Sequence, residues 1–152
     1  MCSTLLLPNL PVNYFRITRG NEMILAAPMA NGSSFKTTYI HSLQLTPVID
    51  EYRISGGKIW TWEERVQSHN AGLPFEAPSP GRFIMDPPWM IVQGGRRTFE
   101  QIVYRVGTEE LGQNIWQLDF SPEIKAYELY PSSRVAIGAS IEALGSAITK
   151  EL

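Results

Sequence analysis

Residues 35–74, FKTTYIHSLQLTPVIDEYRISGGKIWTWEERVQSHNAGLP, hold the pattern that decides the fold. From Phe35 to Ser42, Phe35, Thr37, Tyr39 and His41 share one face and Lys36, Thr38 and Ile40 the other, the period of a β-strand. Thr46-Pro47 leads into a second run, Val48 to Ile54. Ser55-Gly56-Gly57-Lys58 then reads as a hairpin connection, because paired glycines accept the positive φ angles of a tight turn. Ile59 to Val66 returns as a third strand. With Ile54 opposite Ile59, counting back sets Arg53 beside Trp60, Glu51 beside Trp62 and Asp50 beside Glu63. A cation over an indole is a favourable cross-strand pair. Two facing acids are unfavourable unless something positive sits between them.

Upstream, residues 1–13 read as an extended lead interrupted by Pro8 and Pro11. Tyr14 to Thr18 is a short β-rich run closed by the turn Arg19-Gly20-Asn21. Glu22 to Ala27 returns and is expected to end at Pro28, and Asn31-Gly32-Ser33-Ser34 makes the next turn. Downstream, Ser68 to Pro80 (SHNAGLPFEAPSP) is a long loop, the kind of segment that often carries function. Phe83 to Met85 and Trp89 to Val92 are short strands split by Asp86-Pro87-Pro88. After the turn Gly94-Gly95-Arg96-Arg97, Phe99 to Val106 alternates as a strand, while 114–120 and 126–130 are weaker β candidates stopped by Pro131. In the tail, Ile141, Leu144 and Ile148 fall at helical spacing, which predicts a short helix over Ala139 to Ile148, weakened by Gly145.

Many short strands punctuated by turns predict an all-β, mainly antiparallel domain, a β-sandwich or partly open β-barrel with a short C-terminal helix. The expected division is a lead over 1–13, a β-rich domain over 14–131 and a tail over 132–152. At 152 residues one core suffices, and 43% hydrophobic with 18% charged residues is the composition of a globular chain. A net charge of -2 with scattered Lys and Arg argues against nucleic acid, which needs a clustered basic face. The single cysteine, Cys2, excludes an internal disulfide and a cysteine-rich zinc site. Met1-Cys2-Ser3-Thr4 has the form of a lipoprotein start in which a methionine replaces the signal, so Cys2 is either a candidate lipid anchor or an ordinary free cysteine. No basic stretch followed by a long apolar core opens the chain, and Leu5-Leu6-Leu7 is far short of the roughly 20 apolar residues that span a bilayer.

Three constellations carry possible chemistry. In His41-Ser42 the neighbours point to opposite faces of a strand, so the histidine is poorly placed to activate its own serine, and no G-x-S-x-G elbow occurs. His41, Asp50, Glu51, Glu63, Glu64 and His69 offer imidazole and carboxylate ligands for a divalent metal; the competing reading pairs the acids with Arg53 and Arg65 and leaves the histidine a half-buried strand residue. Trp60, Trp62, Trp89, Trp116 and Tyr52 either line an apolar cleft or fill the core, and the core is favoured.

The pattern F…YIHS…TPVIDEYRI…G…W…E…NAGLP, followed by a Gly-Arg turn and a Trp-bearing strand, resembles the prokaryotic family catalogued as domain of unknown function eighteen-fifty. The similarity runs roughly from Tyr14 to Val106, and its most specific pieces are His41-Ser42, Pro47 with Glu51, Glu63, and Ala71-Gly72-Leu73-Pro74. Members of that family are small, exported or anchored, and encoded beside or fused to permeases of TAXI-type tripartite (TRAP) transporters. The resemblance implies a non-catalytic extracytoplasmic accessory or binding domain, at the periplasm or outer face of the cytoplasmic membrane, with a TRAP permease or its binding protein as partner. It implies no activity. The chain departs from the family pattern in lacking the usual N-terminal hydrophobic segment and in carrying the tail after Pro131. The candidate ligand-binding residues are His41, Ser42, Glu51, Glu63 and Gly72, with no cofactor expected beyond a possible divalent metal. The alternative function is a small metal- or ligand-binding protein built on the His/Glu cluster.

Overall fold

The hairpin at Gly56-Gly57 sets the architecture. Both glycines hold positive φ (61° and 70°), the backbone of a two-residue turn that matches strand twist. The computed structural model describes residues 7–68 and 77–149. It joins β4 (Pro47–Ser55) and β5 (Lys58–Val66) through this turn, with Ile54 opposite Ile59 as the sequence predicts. A Cβ on Gly57 would meet the backbone nitrogen of Ile141 at 2.9 Å, so only glycine lets the turn dock against the other layer. The Gly57 amide donates to Asn13 Oδ1 at 2.9 Å, which ties the tip down.

The chain forms an antiparallel β-sandwich, not a closed barrel. The larger sheet also contains β3 (Ser33–Ile40), β6 (Gly81–Asp86), β7 (Trp89–Gly94), β10 (Ile115–Leu118) and β11 (Ile124–Lys125) in the order β11-β10-β3-β4-β5-β7-β6. The smaller contains β1 (Pro11–Arg19), β2 (Glu22–Met29), β9 (Gln101–Arg105) and β12 (Arg134–Ala143) in the order β2-β1-β12-β9. The stretch expected as one strand from Phe99 to Val106 is divided between the layers. Its start, β8 (Thr98–Phe99), pairs with β5, and β9 pairs with β12.

Alternation buries Phe15 and Ile17 of β1 and Val135 and Ile137 of β12 against Phe35, Ile54, Ile59 and Trp116 of the facing sheet. Phe15 and Phe35 meet across the layers with ring centroids 4.9 Å apart. Each such side chain contributes roughly 1.5–3 kcal/mol when fully buried. A second, smaller apolar cluster lies farther along the same inner face, built on Val48, Val66 and Met90 with Tyr39 and Phe83 packed against it.

Several expectations are corrected. Ala139 to Ala143 is the end of β12, and the C-terminal helix α2 runs only over Leu144–Thr149. β12 lies between β1 and β9, so the tail expected after Pro131 completes the sandwich, and the lead expected over 1–13 already includes the start of β1. The β candidate at 126–130 is the short helix α1 (Ala126–Leu129). β2 continues through Pro28 to Met29, because an edge strand can leave unused the bond that a proline cannot donate. The predicted hairpin register holds for three pairs, Ile54 with Ile59, Arg53 with Trp60 and Tyr52 with Thr61, and then fails. Glu51 faces Glu63 and Asp50 faces Glu64, with Trp62 the extra residue of a β-bulge. Arg53 accordingly lies over the Trp62 ring, 5.3 Å from its centroid, while Trp60 donates its indole N–H to the Ser55 carbonyl. Of the four tryptophans only Trp116 is fully buried.

Candidate functional site

The bulge doubles the acid problem posed by the sequence and sends half of it to each face. On the outer face, Glu51 and Glu63 stand opposite one another and are both buried, yet both are compensated. Glu51 is ion-paired to Arg53, has Lys36 Nζ at 3.8 Å, and accepts a long bond from Ser34 Oγ at 3.4 Å. Glu63 is ion-paired to Arg65 and accepts from the Gln93 amide. Burial pushes the Glu63 carboxyl up, but the hydrogen bonds from Gln93 and Arg65, with the charges of Arg65 and Lys36, pull it below the usual carboxylate range.

On the inner face, Asp50 and Glu64 also stand opposite one another. Among the described residues neither makes an ion pair or a hydrogen bond. They occupy the interval between the two apolar clusters, since Ile54 and Ile59 belong to one and Val48 and Val66 to the other. Burial, reinforced by the charge of Glu64, raises the Asp50 carboxyl to about 7. Burial also raises Glu64. Tyrosines crowd around the pair. Burial and then the charges of Asp50 and Glu64 push Tyr39 up to about 12, and Tyr52 and Tyr104 are raised for the same leading reason. Tyr104 comes from β9 of the other sheet and is held by the amide of Asn114, whose Oδ1 accepts the Gly107 N–H. Asn114 is buried, and both ends of its side chain are used.

Asp50 and Glu64 line a cleft of about 400 Å³, with Tyr52, Thr61, Val92 and Gly95 among its walls, and because it opens at the bulge Glu51, Trp62, Glu63 and Arg97 also reach it. Thr61 and Arg97 fasten its rim: the Thr61 amide donates to the Arg97 carbonyl at 2.9 Å, and the Arg97 amide donates to Thr61 Oγ1 at 3.0 Å. A cleft with two opposed carboxyl groups, one able to carry a proton near neutrality, is built to accept a positive group or a proton.

The residues singled out from sequence divide. Glu51 and Glu63 come together, but as a neutralised outer pair. His41 and Ser42 lie elsewhere. β3 ends at Ile40, so His41 begins a turn, and its Nδ1 accepts the amides of Leu43 and Gln44, both at 3.3 Å. Glu51 faces Lys36, five residues back along the strand from His41, a separation of about 16 Å at strand rise. The histidine therefore does not join the acids. Among the described residues no three His, Cys, Asp or Glu side chains converge as a metal site. Gly72, Cys2 and His69 lie outside the described residues. Asp50 and Glu64 were visible in the sequence as possible ligands, whereas Tyr104 and Asn114 had no local signal because they arrive from other strands and loops.

The model of the family described as Domain of unknown function (DUF1850) matches residues 35–119, more than half of the chain. The chain belongs to this family. The matched segment begins at Phe35 rather than Tyr14 and reaches past Val106 to Asp119, so it spans strands β3 to β10 and the positions of the acid–tyrosine cluster. Strands β1, β2 and β12, which supply three of the four strands of the smaller sheet, lie outside it. No curated protein and no solved structure matches the chain. No helix among the described residues is long and apolar enough to cross a membrane.

Proposed function

We propose that this DUF1850 domain is a non-catalytic binding module, and that the cleft between β4, β5 and β7 takes a ligand presenting a cationic group. The observation that carries this reading is the opposed Asp50–Glu64 pair, which lines the cleft with neither carboxylate in an ion pair among the described residues. A bound ammonium group or divalent cation would offset the repulsion between the carboxylates, and Tyr52 would add an aromatic and hydroxyl wall. The reading replaces the His41–Glu51–Glu63 cluster as the ligand site, because those side chains are separated or already paired.

The wider setting follows from the family resemblance. The domain acts outside the cytoplasm as an accessory of a TAXI-type TRAP transporter, presenting this cleft to the permease or to its binding protein. Calorimetric titration with an alkylammonium chloride and with calcium chloride tests the cleft: saturable binding that Asp50→Asn and Glu64→Gln abolish is expected. Absence of binding by both probes, or binding indifferent to both substitutions, overturns it. Co-purification with the permease or binding protein from detergent extract tests the setting, and failure to associate with either removes it.

A further inference from the structure

At the end of the sandwich where β3 stops, the His41–Ser42 turn faces the Gly107–Gly112 loop across a hollow of about 600 Å³. This is the size range of small-molecule sites. Its polar lining has the opposite character to the acid cleft. Arg105 lines it, and no Asp or Glu does. His41 Nδ1 is occupied as an acceptor of two backbone amides, so the proton of its neutral ring sits on Nε2, which is then a donor. Tyr39, with its hydroxyl pushed up to about 12 by burial and the acids behind it, stays protonated and can donate. Ser42 is exposed on the same wall and supplies a further hydroxyl. Glu110 lines only an adjoining, smaller hollow of about 160 Å³.

A second observation points the same way. Arg105 stands directly opposite Arg134 across β9 and β12. Among the described residues neither guanidinium makes an ion pair. Like charges directly opposite in an antiparallel pair repel, and an anion placed beside them reverses the sign of that interaction. Backbone strain gathers here too. Ser132, in the wall of the hollow, and Leu45 and Gln113, in the wall of the adjoining one, hold positive φ of 57°, 53° and 44°. Such conformations persist where the surrounding structure over-determines them, commonly at binding sites.

We propose that this hollow binds a small organic carboxylate, with the carboxylate on the Arg105 fork and the donors of His41 and Ser42, and the organic body against Ile40 and Leu111. One guanidinium with neutral donors suits a planar carboxylate better than a phosphate dianion, and the apolar wall suits a carbon skeleton. This site is independent of the acid cleft.

The test is a titration of the labelled protein with sodium succinate, followed by amide proton–nitrogen correlation spectra, against sodium chloride at matched ionic strength and sodium phosphate as a second arm. Saturable shifts at Ser42, Gly107, Thr108 and Ser132 with succinate are expected. Arg105→Gln should weaken binding at least about tenfold, the loss expected when a hydrogen-bonded charge is removed. Arg105→Lys, which keeps charge without the fork, should be intermediate, and Asp50→Asn should leave binding unchanged. Arg105 is exposed, so these variants keep the core intact. Shifts that follow ionic strength alone, that saturate with phosphate and not succinate, or that survive Arg105→Gln overturn the proposal.

Discussion

The two faces of the β4–β5 hairpin carry the same arrangement, one carboxylate directly across from another, and resolve it in opposite ways. Outside, Glu51 and Glu63 are drawn into ion pairs with Arg53 and Arg65, and Gln93 donates to Glu63. Inside, Asp50 and Glu64 face tyrosines and a cleft, with no cation bound to them among the described residues. The outer pair is therefore compensated within the hairpin and the inner pair is not. A half-buried charge without a partner is costly, so Asp50 and Glu64 lower stability where they stand.

The largest effect should come from the protonation of Asp50. Its folded-state value of about 7 lies above the ordinary 3.8, so the native state holds a proton that the unfolded chain has released between these limits. Its stabilising contribution is full below about pH 4 and is lost as pH rises to about 7. At about 1.4 kcal/mol per unit this is of the order of 4 kcal/mol. Urea unfolding should show Asp50→Asn more stable than the parent at pH 8 and nearly equal to it at pH 4. Equal stability of the two proteins at pH 8 would mean that the inner pair is compensated after all.

Breaking the outer pair should have a smaller effect of the reverse sign. Arg53→Met leaves Glu51 buried with Lys36 at 3.8 Å and the long bond from Ser34 Oγ as its remaining partners among the described residues, and should cost about 2 kcal/mol at neutral pH. A change below the error of denaturant titration would place the compensation elsewhere. The smallest effect sharpens the contrast through its pH dependence. Glu63 is held below the usual range, so its contribution is present above the ordinary carboxylate value and disappears as pH falls through the lowered one. Glu63→Gln should cost about 1 kcal/mol at pH 7 and nothing at strongly acidic pH, the opposite trend to Asp50→Asn. Parallel pH profiles for the two variants would refute the division into a neutralised face and an open one.

The hairpin was legible because its signals are local. Ile54 opposite Ile59 follows from two glycines that accept positive φ, and the alternation of Phe35, Thr37 and Tyr39 marks the buried face of β3. The bulge at Trp62 was not legible. An extra residue is accommodated only because β5 changes partner around it, with β8 alongside Ile59 and Trp60 and β7 alongside Glu63 to Val66. Without the bulge Glu63 would face inward, where Glu64 now stands, since one residue of slip exchanges the faces. The tail misled for a related reason. Ala139 to Ile148 contains apolar residues at helical spacing, but Val135, Ile137 and Ala139 also alternate, and pairing with β1 on one side and β9 on the other decides for the strand.

By itself, then, the sequence determined an all-β, mainly antiparallel domain, sandwich or partly open barrel, with a glycine hairpin at its centre and acids that needed an explanation, because turn geometry and alternation are written in neighbouring residues. Which acids face inward, the tyrosine and asparagine that gather around them, and the parting of His41 from Glu51 and Glu63 were decided only by tertiary structure. Those outcomes depend on strand partners tens of residues away, and on a single inserted residue whose direction no local pattern records.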